Sequence, residues 1–335
     1  PDLVRQLVSK ARNEGVIQTI QAAFNRLEQP MALGYSTAGI VMAVGKDAGY
    51  FKVGDRVACS GAGYAAHAEF DCVPINLVAR MPDNVDFESA AFTTVGAIAL
   101  HGFRLAEQQI GESTLVIGLG LLGLLAAQVA RAAGCQVTGM DIDPNRIELS
   151  KSLGLRAFHR DEIEQASPMI TRGVGYDAVL ICAESKSSET VALAAQLARE
   201  RAKVIAIGAV GMDLPRKAYY EKELSFIVSR SYGPGRYDPS YEEMGKDYPI
   251  GYVRWTENRN LSAFLDLLST GSVDVKPLIT HRFDIADAFH AYQLITGKTK
   301  EAFLGVLLTY PSKQTTDPAA KVITGPEISR GQAGK

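Results

Sequence analysis

The sequence predicts an α/β protein in which a doubly wound parallel sheet is joined to a smaller β-rich domain. Three features carry that expectation. Strands alternate with helices between residues 97 and 231. Short strands bounded by glycine fill residues 34–82, and a glycine-rich turn at Gly118–Gly123 stands between a strand and a helix.

The bulk composition sets the frame. A chain of 335 residues exceeds what one hydrophobic core usually organises, so two domains are expected. Apolar residues make up 47% and charged residues 21%, the balance of an ordinary folded protein. Net charge is −2, which offers no strong field for nucleic acid or an anionic membrane. The longest apolar stretch, 115–133, is broken by glycines, Gln128 and Arg131, so it reads as a strand–helix unit and not a membrane span. The four cysteines, Cys59, Cys72, Cys135 and Cys182, form no CxxC pair and suit reduced thiols in a cytoplasmic protein.

The elements follow from periodicity. Leu3, Leu7 and Ala11, then Ile17, Ile20, Phe24 and Leu27, recur at helical spacing on either side of Gly15, predicting two short amphipathic helices within 2–28. From Gly34 to about Pro82, runs such as Ile40–Val44 and Val53–Ala58 predict the strands of a small barrel-like domain. Later strands are expected at Thr114–Ile117, Gln136–Asp141, Ala178–Ile181, Val204–Ile207 and Leu224–Ser229. Helices are expected at Leu122–Ala133, Asn145–Leu153 and Glu189–Arg199. Residues 232–260, rich in Tyr, Gly, Pro and charge, read as a long functional loop. Helices at Asn260–Ser269 and Ile285–Thr296 and a strand at Phe303–Thr309 complete the domain. Pro311–Lys335 reads as a tail or linker.

The sharpest motif is Gly118-Leu119-Gly120-Leu121-Leu122-Gly123, which follows Leu115-Val116-Ile117 and opens a helix. The first glycine permits the tight turn, the second lets the backbone approach a pyrophosphate, and the third lets helix and strand pack closely. The helix N-terminus adds free N–H groups and a positive dipole end. Asp141 ends the next strand 18 residues after Gly123, where a carboxylate accepts ribose hydroxyls and repels the extra phosphate of NADP. A Rossmann site for NAD is therefore expected. Arg146, one turn into the next helix, keeps NADP open as the less favoured coenzyme.

With these residues in view, the chain resembles the medium-chain dehydrogenase/reductase family, whose members have an alcohol dehydrogenase-like fold. The matching stretches are Gly39–Gly45, Phe51–Val57, Gly63-Tyr64 leading to Ala68–Phe70, Gly118–Gly123 and Pro277–Phe283. The resemblance implies a GroES-like catalytic domain from residues 1–96 and 232–310, interrupted by the Rossmann domain at 97–231. Zinc members carry Gly-His-Glu where this chain has Gly34-Tyr35-Ser36, and a cysteine where it has Val95. Neither Tyr35 nor Val95 supplies a usual zinc ligand, so no metal is expected. His67 and His101 share no short motif with another donor and read as ordinary histidines, as do His281 and His290.

Pro30–Ser36, Ser229–Asp238 and Gly251–Asn258 are also similar to bacterial two-domain oxidoreductases. In these, a zinc-less dehydrogenase is fused to a second dehydrogenase of the glucose-fructose oxidoreductase/inositol dehydrogenase type. That resemblance implies a larger enzyme of which this chain is the N-terminal half, linked with surface polysaccharide and sugar metabolism. A homodimer joined through the Rossmann sheets follows from family precedent.

Without a metal, another group must polarise the substrate oxygen and manage one proton. Tyr35 is the candidate, with Ser36 in support; the competing reading is that Tyr35 only fills the vacated metal pocket. Gly208-Ala209-Val210-Gly211 is implied to run beside the nicotinamide. Arg236, Tyr237, Arg254 and Trp255 suit a polyhydroxylated or phosphorylated ligand by stacking and bidentate contacts, or equally a subunit interface. Three functions fit: a zinc-independent NAD-dependent dehydrogenase on a sugar-like alcohol or carbonyl, a quinone or enoyl reductase, and an idle NAD-binding module serving a fused partner.

Overall fold

The computed structural model describes residues 32–46 and 48–310; the helices expected within 2–28 and the tail at 311–335 lie outside them. The chain opens on a three-stranded antiparallel sheet, β1 (Ser36–Ile40), β2 (Arg56–Ser60) and β3 (Val78–Arg80), in that order. Two helices, α1 (Phe87–Ala90) and α2 (Thr93–Leu105), lead to the large sheet. Its strands are β4 (Ser113–Ile117), β5 (Gln136–Asp141), β6 (Arg156–His159), β7 (Tyr176–Ile181), β8 (Ala198–Ala206) and β9 (Ser225–Val228).

All neighbours in the large sheet are parallel, in the order β6-β5-β4-β7-β8-β9. The strand order reverses between β4 and β7, which opens a crevice at their carboxyl ends. Central strands covered on both faces read as unbroken apolar runs: Leu115, Val116 and Ile117 in β4 and Ala178–Ile181 in β7 are all buried. The helices α3 (Leu121–Ala132), α4 (Pro144–Ser152), α5 (Ile163–Ile170), α6 (Glu189–Leu197) and α7 (Arg216–Glu221) connect these strands.

Local chemistry sets the helix ends. Asp143 accepts from Asn145 N–H and Pro144 stands in the first turn of α4. Gly134 at φ +87° ends α3 in the left-handed region. After β9 the chain passes through a short helix, α8 (Pro239–Glu242), into α9 (Glu257–Ser269), where the Thr256 side chain caps Arg259 N–H. Leu261 and Leu265 of α9 share one core with Ala58, Leu77 and Ala79 of the small domain. The chain therefore returns to the small domain after the large sheet. A parallel pair, β10 (Ile279–Asp284) and β11 (Gly305–Thr309), with α10 (Ala288–Ile295), ends the described chain.

Several sequence expectations need correction. The strand expected across Ile40–Val44 ends at Ile40, although Val41 still exchanges backbone hydrogen bonds with Asp55 and Gly54. In place of a closed barrel the small domain shows three- and two-stranded sheets among the described residues. The expected loop at 232–260 contains α8 and the first turn of α9. The strand β6 and the helices α1, α5 and α7 lie outside the expected elements, and α2, implied by the resemblance to begin at Gly96, starts at Thr93. β6 has only four residues, and Gly96 and Gly102 interrupt the helical pattern of α2.

Those glycines of α2 are sites of close approach. A Cβ at Gly96 would lie 2.2 Å from the Phe264 ring, and one at Gly102 would lie 2.3 Å from Ile207. Gly96→Ala is expected to lower stability by about 1–3 kcal/mol in urea unfolding, overpacking outweighing the gain in helix propensity. A raised urea midpoint would mean that the ring moves aside freely.

Candidate functional site

The glycine-rich turn sits at the head of the crevice, and each glycine answers to a measured constraint. Gly118 has φ +91°, and a Cβ there would come within 2.7 Å of Ala183 N. Gly120, at the N-terminus of α3, meets nothing closer than the Arg146 guanidinium at 3.9 Å, so its outer face is open. A Cβ at Gly123 would collide with Gly118 O at 1.8 Å. No side chain caps α3, which leaves the N–H groups of its first turn for an anion.

Asp141 is 4% exposed, and its carboxylate ties two turns together. Oδ2 accepts from Leu119 N–H at 2.6 Å, and Oδ1 accepts from Ile142 N–H at 2.8 Å and Asp143 N–H at 2.9 Å. Oδ2 thus retains capacity for one more donor. Arg146 stands 3.7 Å from both Asp141 and Asp143. Gly118, Leu119, Gly120, Asp141 and Arg146 are therefore gathered as expected, with Leu121, Leu122 and Gly123 in the first turn of α3. Gly208 follows β8 with its N–H on Ile181 O at 2.9 Å, and a Cβ there would strike Ala183 O at 2.2 Å. Ala209 O accepts from Ser185 N–H, so the 208–211 segment lies along the same crevice edge.

Tyr35 is half-exposed, and desolvation holds its phenol above the usual value of 10.0, so it stays protonated at neutral pH. Its hydroxyl has no partner among the described residues. Its carbonyl accepts from Gly61 N–H at 3.0 Å and from Thr94 Oγ1 at 3.3 Å. The expectation for Ser36 is corrected: its hydroxyl donates to Ala91 O at 2.7 Å and accepts from Thr94 N–H at 3.4 Å. Ser36 therefore fixes the start of α2 and does not support the Tyr35 hydroxyl.

A cavity of about 380 Å³ opens just past β9, lined by the side chains of His101, Arg230, Arg236, Tyr237, Asp238 and Tyr248 and by the backbone of 233–235. Of the four expected ligand-binding residues, Arg236 and Tyr237 line it. Arg254 and Trp255 do not, because Trp255 is held between Arg254 and Arg104, at 3.7 and 3.3 Å from its ring centre. His101 and Arg230 went unrecognised in the sequence, since neither belongs to a motif. Burial, and after it Arg104, lowers His101 to about 4, so its imidazole is neutral at pH 7.

Arg236 is locked in an ion pair with Glu242 at 2.5 Å and packs on the Tyr237 ring at 4.0 Å. Behind it Glu257 is fully buried, and neither carboxyl oxygen has a partner among the described residues. Burial first, and then the Glu242 charge, pushes Glu257 up to about 8.

The described residues do not fit a zinc ion. No three His, Cys, Asp or Glu side chains among them converge, and the two positions compared with metal ligands hold a protonated phenol, Tyr35, and the hydrocarbon of Val95. Nor is any helix among them long and apolar enough to cross a membrane.

Comparison with known proteins agrees with the fold. Residues 7–83 match the alcohol dehydrogenase GroES-like domain, and residues 122–246 match the zinc-binding dehydrogenase domain. A sorbitol dehydrogenase of Arabidopsis thaliana is 26% identical over 315 residues, covering 82% of this chain and 79% of that protein. A D-xylulose reductase of Saccharomyces cerevisiae is 25% identical over 302 residues, covering 80% and 78%. Galactitol-1-phosphate dehydrogenase from Escherichia coli shares the fold with a TM-score of 0.67 at 24% identity, covering 83% of this chain and 84% of that one.

Glu257 generates a stability prediction. Its carboxyl is raised in the folded state, so its contribution is fully present below about pH 4.5 and is lost as pH rises through about 8. The parent protein should therefore lose thermal stability between those pH values. Glu257→Gln should flatten that loss, raising the melting temperature at pH 8 and above by several degrees. Parallel melting curves for the two proteins from pH 5 to 9 would show Glu257 to be ionised and accommodated.

Proposed function

The chain belongs to the zinc-type alcohol dehydrogenase, or medium-chain dehydrogenase/reductase, family, and on that footing we propose that it is a zinc-independent, NAD-dependent oxidoreductase. It acts on a CH–OH group of a sugar-like alcohol, or on the matching carbonyl. The observation that carries this reading is the buried Asp141 carboxylate, set against the open glycine turn with one acceptor site to spare. The polyol names of the sorbitol dehydrogenase and D-xylulose reductase relatives support the substrate class.

The first-turn N–H groups of α3 would hold the coenzyme pyrophosphate, Asp141 its adenosine ribose, and Gly208-Ala209 its nicotinamide end. When bound, NAD supplies the carbon that gives or takes a hydride. Tyr35 donates its hydroxyl hydrogen bond to the substrate oxygen and holds the proton there. Ser36 and Thr94 fix the backbone that carries Tyr35. Tyr237 lies at the cavity wall with the guanidinium groups of Arg236 and Arg230 on its ring, so it positions those two cations toward a hydroxylated ligand. Residues 1–96 with 232–310 act as the catalytic domain and 97–231 as the coenzyme domain. Resemblance alone supports a cytoplasmic homodimer serving carbohydrate metabolism.

Tyr35→Phe is expected to lower kcat about 100-fold with KM changed far less, the size of effect typical of a positioned acid. Unchanged turnover would leave Tyr35 as pocket filler. Asp141→Asn removes the charge and keeps one acceptor oxygen, enough for the Ile142 and Asp143 N–H groups, while Leu119 N–H loses its acceptor. It should lower the NADH-over-NADPH preference about ten-fold, read by fluorescence titration. Elemental analysis of the purified protein should find zinc well below one ion per chain, and one tightly held ion would overturn the metal-free chemistry.

A further inference from the structure

We propose that the cavity past β9 is an anion site that seats the phosphate of a phosphorylated sugar, as a monoester or a nucleotide diphosphate, with Arg230 as its direct ligand. The proposal deepens the oxidoreductase reading and rests on it for the sugar.

The lining carries the guanidinium groups of Arg230 and Arg236 and the carboxylate of Asp238. The protein carries a net charge of −2, yet Arg230, Arg104 and Arg254 have no ion pair among the described residues. Arg230 lines the cavity, and its guanidinium lies over the Tyr237 ring at 4.8 Å. Arg104 stands just behind the wall, where its Nε donates to Asn260 Oδ1 at 3.0 Å. Asn260 in turn donates to Tyr232 O and lies against Gly233 of the lining. Burial and the like charge of Arg254 lower Arg104 to about 10. Arg104 and Arg254 both lie on the Trp255 ring outside the lining, where they add positive potential but no direct ligand.

The carboxylates at hand are already engaged. Glu242 holds Arg236, and Asp238 accepts from Tyr248 Oη at 2.5 Å and from Ser240 N–H at 2.9 Å. Arg236, though ion-paired, leaves its Nε without an acceptor. The cavity thus presents the unpaired Arg230 guanidinium, a neutral imidazole from His101 and the ring of Tyr248, with the Asp238 carboxylate held by Tyr248 and Ser240. That set suits a phosphate attached to a hydroxylated ring.

Position separates this site from the coenzyme pyrophosphate. Arg230 lies two residues beyond β9, and β9 is three strand spacings from β4, roughly 14 Å across the sheet. The two sites nevertheless share a wall. Gly102 of α2 packs on Ile207, while their neighbours His101 and Gly208 face the cavity and the crevice respectively. Thr94, which holds the Tyr35 carbonyl, precedes His101 by seven residues of α2, or roughly 10 Å. On this proposal a group bound at Arg230 is the far end of a ligand whose reacting carbon meets Tyr35.

The test is calorimetric titration of the NAD-loaded full chain with glucose, inorganic phosphate, glucose 6-phosphate and UDP-glucose, each at about 50 and 300 mM salt. Glucose 6-phosphate or UDP-glucose should bind at least about ten-fold tighter than glucose, with an advantage that shrinks at high salt. Whichever of the two is tighter identifies the monoester or the diphosphate as the source. Arg230→Gln should abolish most of that preference, and a urea midpoint on the same sample shows that the loss occurs in folded protein. Equal affinity for charged and uncharged sugar, a preference that survives Arg230→Gln, or no binding of any of the four would overturn the proposal. Turnover of sorbitol without a phosphate preference would sink this inference and leave the oxidoreductase standing. A phosphate preference with no turnover of any sugar would do the reverse.

Discussion

The coenzyme half of this molecule depends on one buried carboxylate. Asp141 ends β5 and spends its oxygens on the N–H groups of Leu119, Ile142 and Asp143. The first bond pins the glycine turn after β4, and the other two shape the turn after β5. A charged group this deep is stable only when donors surround it, and here the backbone supplies three. Loss of this carboxylate would therefore disturb both turns together, and on the proposed reading the coenzyme ribose would lose its acceptor with them.

A second polar cluster organises the segment between β9 and α9. Arg236 and Glu242 form a nearly dry ion pair, and Glu257 stands behind them as a carboxylic acid. Removing either partner of such a pair strands the other charge, which costs far more than the pair contributes. The irregular backbone there, with Tyr237 at φ +67° and Ser231 at φ +52°, is held by this pair and by the Tyr237 N–H bond to Glu242 Oε2. A fixed loop is what a cavity built from loop residues requires.

Sequence reading recovered what depends on local spacing and missed what depends on chain return. Gly118, Gly120, Gly123 and Asp141 lie within one strand–helix–strand unit, so their pattern carries the geometry directly. Gly208 was reached through the family resemblance, which implies that the segment after the fourth strand of the large sheet runs beside the nicotinamide. Arg254 and Trp255 misled, because composition cannot reveal that Arg104, some 150 residues away, occupies the other face of the indole. His101 read as an ordinary histidine, and α2 was reached only through the family resemblance, because Gly96 and Gly102 interrupt its helical pattern. Those glycines are there because Phe264 and Ile207 press against them, a fact written in distant residues. Ser36 was placed correctly in sequence, yet its rotamer serves Ala91 and Thr94.

The placement of α2 links these parts into one device. Its first turn holds the backbone of Tyr35 through Thr94, and its middle presses Gly102 against Ile207 beside the Gly208 turn. Further along, its outer face supplies His101 to the cavity and Arg104 to the cationic stack. A rigid helix fixes the separation between its ends far better than a loop does. Tyr35, the crevice edge and the cavity are therefore set at constant spacing by a single element. Specificity in such an arrangement resides in the length of the ligand as much as in its chemistry. On the proposed reading, a molecule too short to reach from the cavity to Tyr35 would gain binding without alignment, and binding shared equally by ground and transition states does not raise kcat.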